Sequence, residues 1–322
     1  MIRAFALFLA IAVTSAHAQQ SAPKRIGYFS VASAAANAPR VAAFRQGMSE
    51  LGWVDGKDYI VDARYGEASG NNSMQLAADV VAARPDVILT SSDDAIRALM
   101  KATQTIPIVF ATATDPLALG AAKSLQRPGG NATGLAGLRG PISAKGVQLL
   151  KEAFPKVSHI GMFFDPTDSM GGAVITKEIM AVADRLGLRI TRIEVNSAKD
   201  MAAAVRRGTG LGCQAFVVVD GFLFISQRKA LTESINRSRL PAVYARTEYA
   251  EAGGLMSYAV PTVDSFRHAA SYVDKILKGA NPGDLPIEQA TKFELVVNMR
   301  TAKAAGIAVP TSLLLRVDKV IQ

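Results

Sequence analysis

The chain predicts an α/β fold of two lobes, each built on a doubly wound, Rossmann-like parallel sheet. Three observations carry this. Short apolar runs rich in Val, Ile and Phe alternate with helical-period segments from residue 24 to residue 111. Such alternation is what strands covered by helices on both faces require. The same alternation restarts after residue 138 and continues to residue 244. Between the two series lies TIPIVFATATDPLALGAAKSLQRPGGNATGLAGL, residues 105–138. Its opening apolar run ends in Thr112, Thr114 and Asp115, and a Pro-Gly-Gly turn then leads to an extended run that starts no new unit. That run reads as a crossing between lobes. Open α/β sheets hold ligands at the carboxyl ends of their strands, so Asp115 is expected beside both a pocket and a hinge.

Each element has its own signal. Residues 24–31 (KRIGYFSV) form a strand with Ser30 at its polar tip. Residues 39–51 carry Val41, Phe44, Met48 and Leu51 at helical spacing and stop at Gly52. Residues 58–65 alternate as a strand, and 73–83 form a helix capped by Ser73 and closed before Pro85. Residues 86–90 form a strand ending in Ser91 and Ser92, and a helix follows over 93–104.

In the second series, helices are expected at 143–154, 170–186, 198–207 and 226–238, with strands at 159–164, 188–195, 215–219 and 241–244. The polar tips Asp165, Asp220 and Tyr244 mirror Ser30, Ser92 and Asp115 of the first series. The tail holds an extended segment at 254–260, a helix at 263–277, a long extended run at 287–299 and two short helices. One helix between two extended segments implies a chain that returns to the first lobe and leaves again, giving a three-segment hinge. The expected division is 1–18 as a signal peptide, 24–137 plus 259–283 as the first lobe, and 138–258 plus 284–322 as the second.

Composition bounds the function. With 322 residues, 49% of them hydrophobic, the chain can bury a large core. Residues 1–18, MIRAFALFLAIAVTSAHA, combine Arg3, a short apolar run and a small-x-small cleavage site, the pattern of a cleavable secretory signal. No later stretch is long and apolar enough for stable membrane insertion. Cys213 is the only cysteine, which excludes an intrachain disulfide and a lipid-bearing cysteine at the expected cut. A periplasmic, unlipidated protein is therefore expected. The formal charge is +9, yet the basic residues are scattered singly or in pairs. That reads as a solvated basic surface, not a nucleic-acid stripe.

Six segments in order give a more specific signal: AAFRQGMSELGW (42–53), IPIVFATATDPLALG (106–120), RPGGNATGL (127–135), LPAVYARTEYAEAGGLMSY (240–258), SYVDKILKGANPGDLPIEQATKFELVVN (271–298) and TAKAAGIAVPTSLLLRVDKVI (301–321). With them the sequence resembles the ABC transporter substrate-binding proteins of the tryptophan/tyrosine-type family, which have the type I periplasmic-binding fold. The resemblance implies a small solute held between two lobes and delivered to a membrane permease. Characterised members look like amino-acid binders. Ser92 stands where relatives offer the ligand a small hydroxyl, although Asp93 follows it where Pro is common. Asp115, preceded by Thr114, matches the Asp of the family's Thr/Ser-Asp-Pro segment. Asp165 and Asp220 match strand ends facing the cleft, and Tyr244 fits a strand that ends in Tyr.

The chemistry of these residues leaves alternatives open. Asp115 can pair with a ligand ammonium or cap a helix expected after Pro116, and Asp165 and Asp220 can bind, close turns or cap helices. Tyr244 can line the pocket or pack in the core. Ser91, Ser92 and helix N-termini can serve a carboxylate. Arg246 is the one arginine near a predicted strand tip, which argues against a dianionic solute; a cation or a polyol remains possible. An exported carboxylate hydrolase using Asp115 and Asp220 is a poor second, because Gly-x-Ser-x-Gly, phosphate-loop and metal-ligand signatures are lacking, and no cofactor is expected. A periplasmic protein that presents its solute to a receptor is the other alternative.

Overall fold

The computed structural model describes residues 22–66, 73–166, 171–219 and 221–322. The first series runs β1 (Lys24–Ser30), α1 (Ala34–Glu50), β2 (Tyr59–Tyr65), α2 (Ser73–Ala82), β3 (Val87–Thr90), α3 (Asp93–Ala102), β4 (Ile108–Ala113) and β5 (Ala132–Ala136). The second opens with α4 (Arg139–Ala153), β6 (His159–Phe164), α5 (Gly171–Arg185), β7 (Arg189–Glu194), α6 (Met201–Gly210) and β8 (Ala215–Val218). It continues through α7 (Phe222–Ser226), α8 (Arg228–Arg237), β9 (Ala242–Tyr244), α9 (Thr247–Glu251) and β10 (Met256–Ala259). The tail adds α10 (Thr262–Leu277), β11 (Glu288–Gln289), β12 (Glu294–Asn298), α11 (Met299–Ala305), α12 (Thr311–Leu314) and β13 (Lys319–Ile321).

These strands form two sheets, as the periodicity predicted. The first has the order β11-β5-β4-β3-β1-β2 and is parallel throughout. The second has the order β13-β12-β10-β9-β8-β6-β7, with β10 and β12 its antiparallel pair. In both, the first strand of the series lies between the second and the third, so strand order reverses there and the carboxyl ends open a crevice. Helices cover both faces. Tyr28, Phe44, Phe266 and Val273 fill one side of the first sheet, while Phe29, Ile96, Leu99 and Phe110 fill the other. Leu150, Phe163, Phe216 and Leu231 belong to the core of the second. Burying an aliphatic or aromatic side chain of this kind contributes about 1.5–3 kcal/mol.

The chain passes between the sheets three times, after β5, after β10 and after β11. Because β11 pairs with β5, the last crossing on strand pairing is at 290–293. The expected boundary at 283/284 falls ahead of that strand.

Other expectations change for local reasons. α1 starts at Ala34, ahead of Pro39, because Ser33 caps it by accepting the Ala36 N–H at 3.4 Å. α4 starts at Arg139 and takes Pro141 into its first turn, where a missing N–H is tolerated. The helix expected over 226–238 is α8, starting at Arg228, and the short α7 ahead of it had no sequence signal. The extended run at 287–299 is two short strands in different sheets, and α9 and β13 had no sequence signal. The predicted signal segment, 1–18, lies outside the described residues.

Candidate ligand site between the two lobes

The strand tips that close the first crevice are Ser30 after β1, Ser91 and Ser92 after β3, and Thr114 and Asp115 after β4. Ser30 is buried, and its Oγ accepts from Asn37 Nδ2 at 3.0 Å and from the Ala32 N–H at 3.2 Å. Ser91 is buried. Ser92 adopts φ +88 and caps α3 through a long 3.5 Å bond from the Ala95 N–H. A non-glycine residue in such backbone stores about 1–3 kcal/mol of strain, which clusters at ligand sites. Asp115 is half-buried, and its Oδ1 accepts the N–H groups of Leu117 and Ala118, each at 3.0 Å. Its cap serves a turn over 116–120, not the helix expected there.

In the second lobe, Asp165 directly follows β6 and is buried beside Gly221. Asp220 lies outside the described residues. Tyr244 packs in the core: it is 1% exposed and stacks on Tyr249 at 5.1 Å between ring centroids. Burial pushes its phenol pKa up, and its hydroxyl has no hydrogen-bond partner. The ring therefore fills the second lobe and does not line a pocket.

Several polar residues at the crevice carried no signal in the sequence. Asn37 Oδ1 accepts from Tyr28 OH at 2.8 Å and from Arg40 Nη1 at 3.4 Å. Arg40 Nη2 then reaches Glu248 Oε1 at 3.1 Å. Arg40 belongs to the first lobe and Glu248 to α9 of the second, so this ion pair spans the cleft. Burial, and next the Arg246 guanidinium of the other lobe, lower the Arg40 pKa. Glu248 was hidden because α9 is only five residues long, too short for a periodic pattern. Replacing Glu248 by Ala is expected to weaken the closed arrangement by about 1 kcal/mol, or about fivefold. Small-angle scattering should show a larger radius of gyration for that variant.

A second network ties β3, β4 and α4 together. Asp93, 5% exposed, accepts the Thr114 N–H at 2.9 Å and pairs with Arg139 Nη2 at 3.7 Å. Arg139 Nε donates to Thr114 Oγ1 at 2.6 Å. Next to this network a cavity of about 40 Å³ lies between the lobes, lined by Thr112, Arg139, Ser143, Arg246, Val260 and Thr262 among others. None of the described sequence candidates is on its wall; Thr114 touches it only through Arg139. At this volume it holds a water or two, so a larger ligand requires the lobes to separate before it enters.

His159 and Cys213, 3.6 Å apart, are buried at the amino ends of the second-lobe strands, on the side away from the strand tips. His159 bonds to Gly212 O and Thr191 Oγ1, which is a structural role. Among the described residues no group of three His, Cys, Asp or Glu is placed to hold a metal ion, and no helix is long and apolar enough to cross a membrane.

The family described as ABC transporter substrate binding protein matches residues 26–321. The chain belongs to that family. As a substrate-binding protein it shares 22% identity with a tyrosine-binding protein of Clostridioides difficile, over 81% of this chain and 74% of that one. A Streptococcus pneumoniae ABC domain solved in complex with L-Trp is 25% identical with a TM-score of 0.85, covering 93% of this chain and all of that one. A conserved domain protein of Vibrio cholerae is 26% identical with a TM-score of 0.86 at the same coverage. The family is one of substrate-binding proteins and not of enzymes, and the two-lobed fold is shared with these neighbours.

Proposed function

We propose that this substrate-binding protein is the exported, periplasmic component of an ABC uptake system. It takes a small solute, an amino acid or a derivative of one, between its lobes and presents it to a membrane permease. The observation that carries this reading is the inter-lobe cavity, which draws its wall from both lobes and from two of the three crossings. A solute there touches both lobes at once and favours the closed form by its differential affinity. The tyrosine-binding relative and the L-Trp complex support an amino-acid solute. Ser91, Ser92, Thr114 and Asp115 of the first lobe and Asp165 and Asp220 of the second are the contacts proposed for the wider cleft that opens when the lobes separate. None of the described ones lies on the wall of this small cavity. The sequence pattern of residues 1–18 supports export.

A thermal-shift screen of the purified protein against the twenty L-amino acids, small peptides, polyamines and sugars tests the proposal. A ligand at a hundred times its dissociation constant should add about 2.7 kcal/mol of stability. A shift with amino acids and no turnover supports it; silence across the whole panel overturns it.

A further inference from the structure

At the pole of the second lobe away from the cleft, α8 and α11 lie side by side along a groove of about 620 Å³. α8 leads into β9 at its amino end, and α11 follows β12, which runs antiparallel to β10. These helix ends therefore lie opposite the strand tips. Arg237, Arg239 and Arg300 line the groove together with Glu233, Asn236 and Thr301. All three arginines are exposed. Arg237 Nη2 makes one long bond of 3.5 Å to Ser234 Oγ, and among the described residues the side chains of Arg239 and Arg300 have no partner. Elsewhere guanidiniums meet acids, as in Arg45–Asp55, Arg267–Glu50 and Arg316–Glu152. Two of the three positions also work against local stability. Arg239 holds φ +56 just past the end of α8, a backbone conformation suited to glycine. Arg300 puts a cation in the first turn of α11, where the helix dipole disfavours one. Only Arg237, in the last turn of α8, suits its helix. The floor beneath them is fixed, because Asn236 Nδ2 and Thr301 Oγ1 both donate to Gly253 O at 2.8 Å.

We propose that this groove is a binding site for a phosphate group, held by the guanidiniums of Arg237, Arg239 and Arg300. Three guanidiniums against the one carboxylate of Glu233 leave two positive charges, which match a phosphate dianion. A carboxylate fills a single guanidinium fork with its two oxygens, whereas a phosphate offers acceptors for more than one. The groove lies at the far pole from the cleft, so it is separate from the solute site and does not depend on the function proposed above. The group belongs to a soluble phosphorylated molecule or to a phospholipid headgroup, which present the same oxygens.

Calorimetric titration with inorganic phosphate and pyrophosphate, at constant ionic strength in chloride, tests the soluble form. Co-sedimentation with phosphatidylcholine vesicles, with and without phosphatidylglycerol, tests the headgroup. Both are run on wild type, Arg300→Ala and Arg239→Gly. Each substitution should weaken binding about tenfold, the loss expected for one charge-assisted contact. Arg239→Gly should also raise the ligand-free melting temperature by about 2 °C, because glycine relieves the left-handed backbone. A variant that is more stable and binds less tightly marks a residue kept for its ligand. Binding of phosphate or pyrophosphate alone assigns the group to a soluble molecule. Binding to phosphatidylglycerol vesicles that the substitutions weaken assigns it to a headgroup. Failure of every probe to bind, or binding that both substitutions leave unchanged, overturns the site. A less stable Arg239→Gly protein would overturn it too, by giving that arginine a structural role.

Discussion

Replacing Gly134 by Ala is expected to unfold or severely destabilise the first lobe, by more than about 3 kcal/mol. Gly134 sits in β5 opposite Phe110 of β4, with φ +142. A Cβ built there would lie 2.1 Å from Phe110 O and 2.8 Å from Phe110 N. Those are backbone atoms in the middle of a parallel ladder, so neither can move aside without breaking strand pairing. The backbone conformation adds its own penalty for any L side chain. Gly130→Ala is the matched control, since nothing lies within 4 Å of a Cβ there. Urea unfolding should separate the two variants clearly. A Gly134→Ala protein with a wild-type midpoint would contradict the geometry of β4 and β5, which lead into the first crossing.

Asp93→Ala should cost about 3 kcal/mol of stability and weaken solute binding at least tenfold. The carboxylate is buried and does two jobs: it receives the Thr114 N–H and balances the Arg139 guanidinium, whose side chain is 21% exposed. Removing it leaves a buried N–H unpaired and takes an ionic partner from a mostly buried cation. It also removes a negative charge from the amino-terminal turn of α3, where the helix dipole favours one. Asp93→Asn keeps an acceptor for Thr114 and should lose less, about 1 kcal/mol. Denaturant midpoints measure the stability difference, and titration with whichever solute answers the thermal screen measures the rest. If the Ala and Asn variants were equally stable, the acceptor for the Thr114 N–H would contribute nothing and the lost charge would carry the whole effect.

The crevice was legible because small polar residues at the ends of continuous apolar runs mark carboxyl termini of buried strands. Ser30, Ser92 and Thr114 were found in that way, and each has a hydrogen-bonding role at the crevice. Tyr244 ends its strand as well, but strand position does not say which way a ring turns. The stack on Tyr249 comes from a helix that the sequence did not announce. Asp115 illustrates a different difficulty. One of its oxygens is committed to backbone N–H groups two and three residues on, and a carboxylate before Pro looks the same in sequence whether it binds or caps. Arg40 escaped notice because Pro39 suggested a helix start, while the helix in fact begins a turn earlier.

By itself the sequence determined the two sheets, their helical cover and the family. All of these rest on local periodicity, turn chemistry and segments read in order. Tertiary structure alone decided which polar groups meet. The Arg40–Glu248 pair joins residues 208 positions apart, and the cavity gathers residues from 112 to 262. No window of sequence contains such pairs. Their partnership is set by the packing of one lobe against the other, and a chain carries no local signal for contacts that exist only after both lobes have folded.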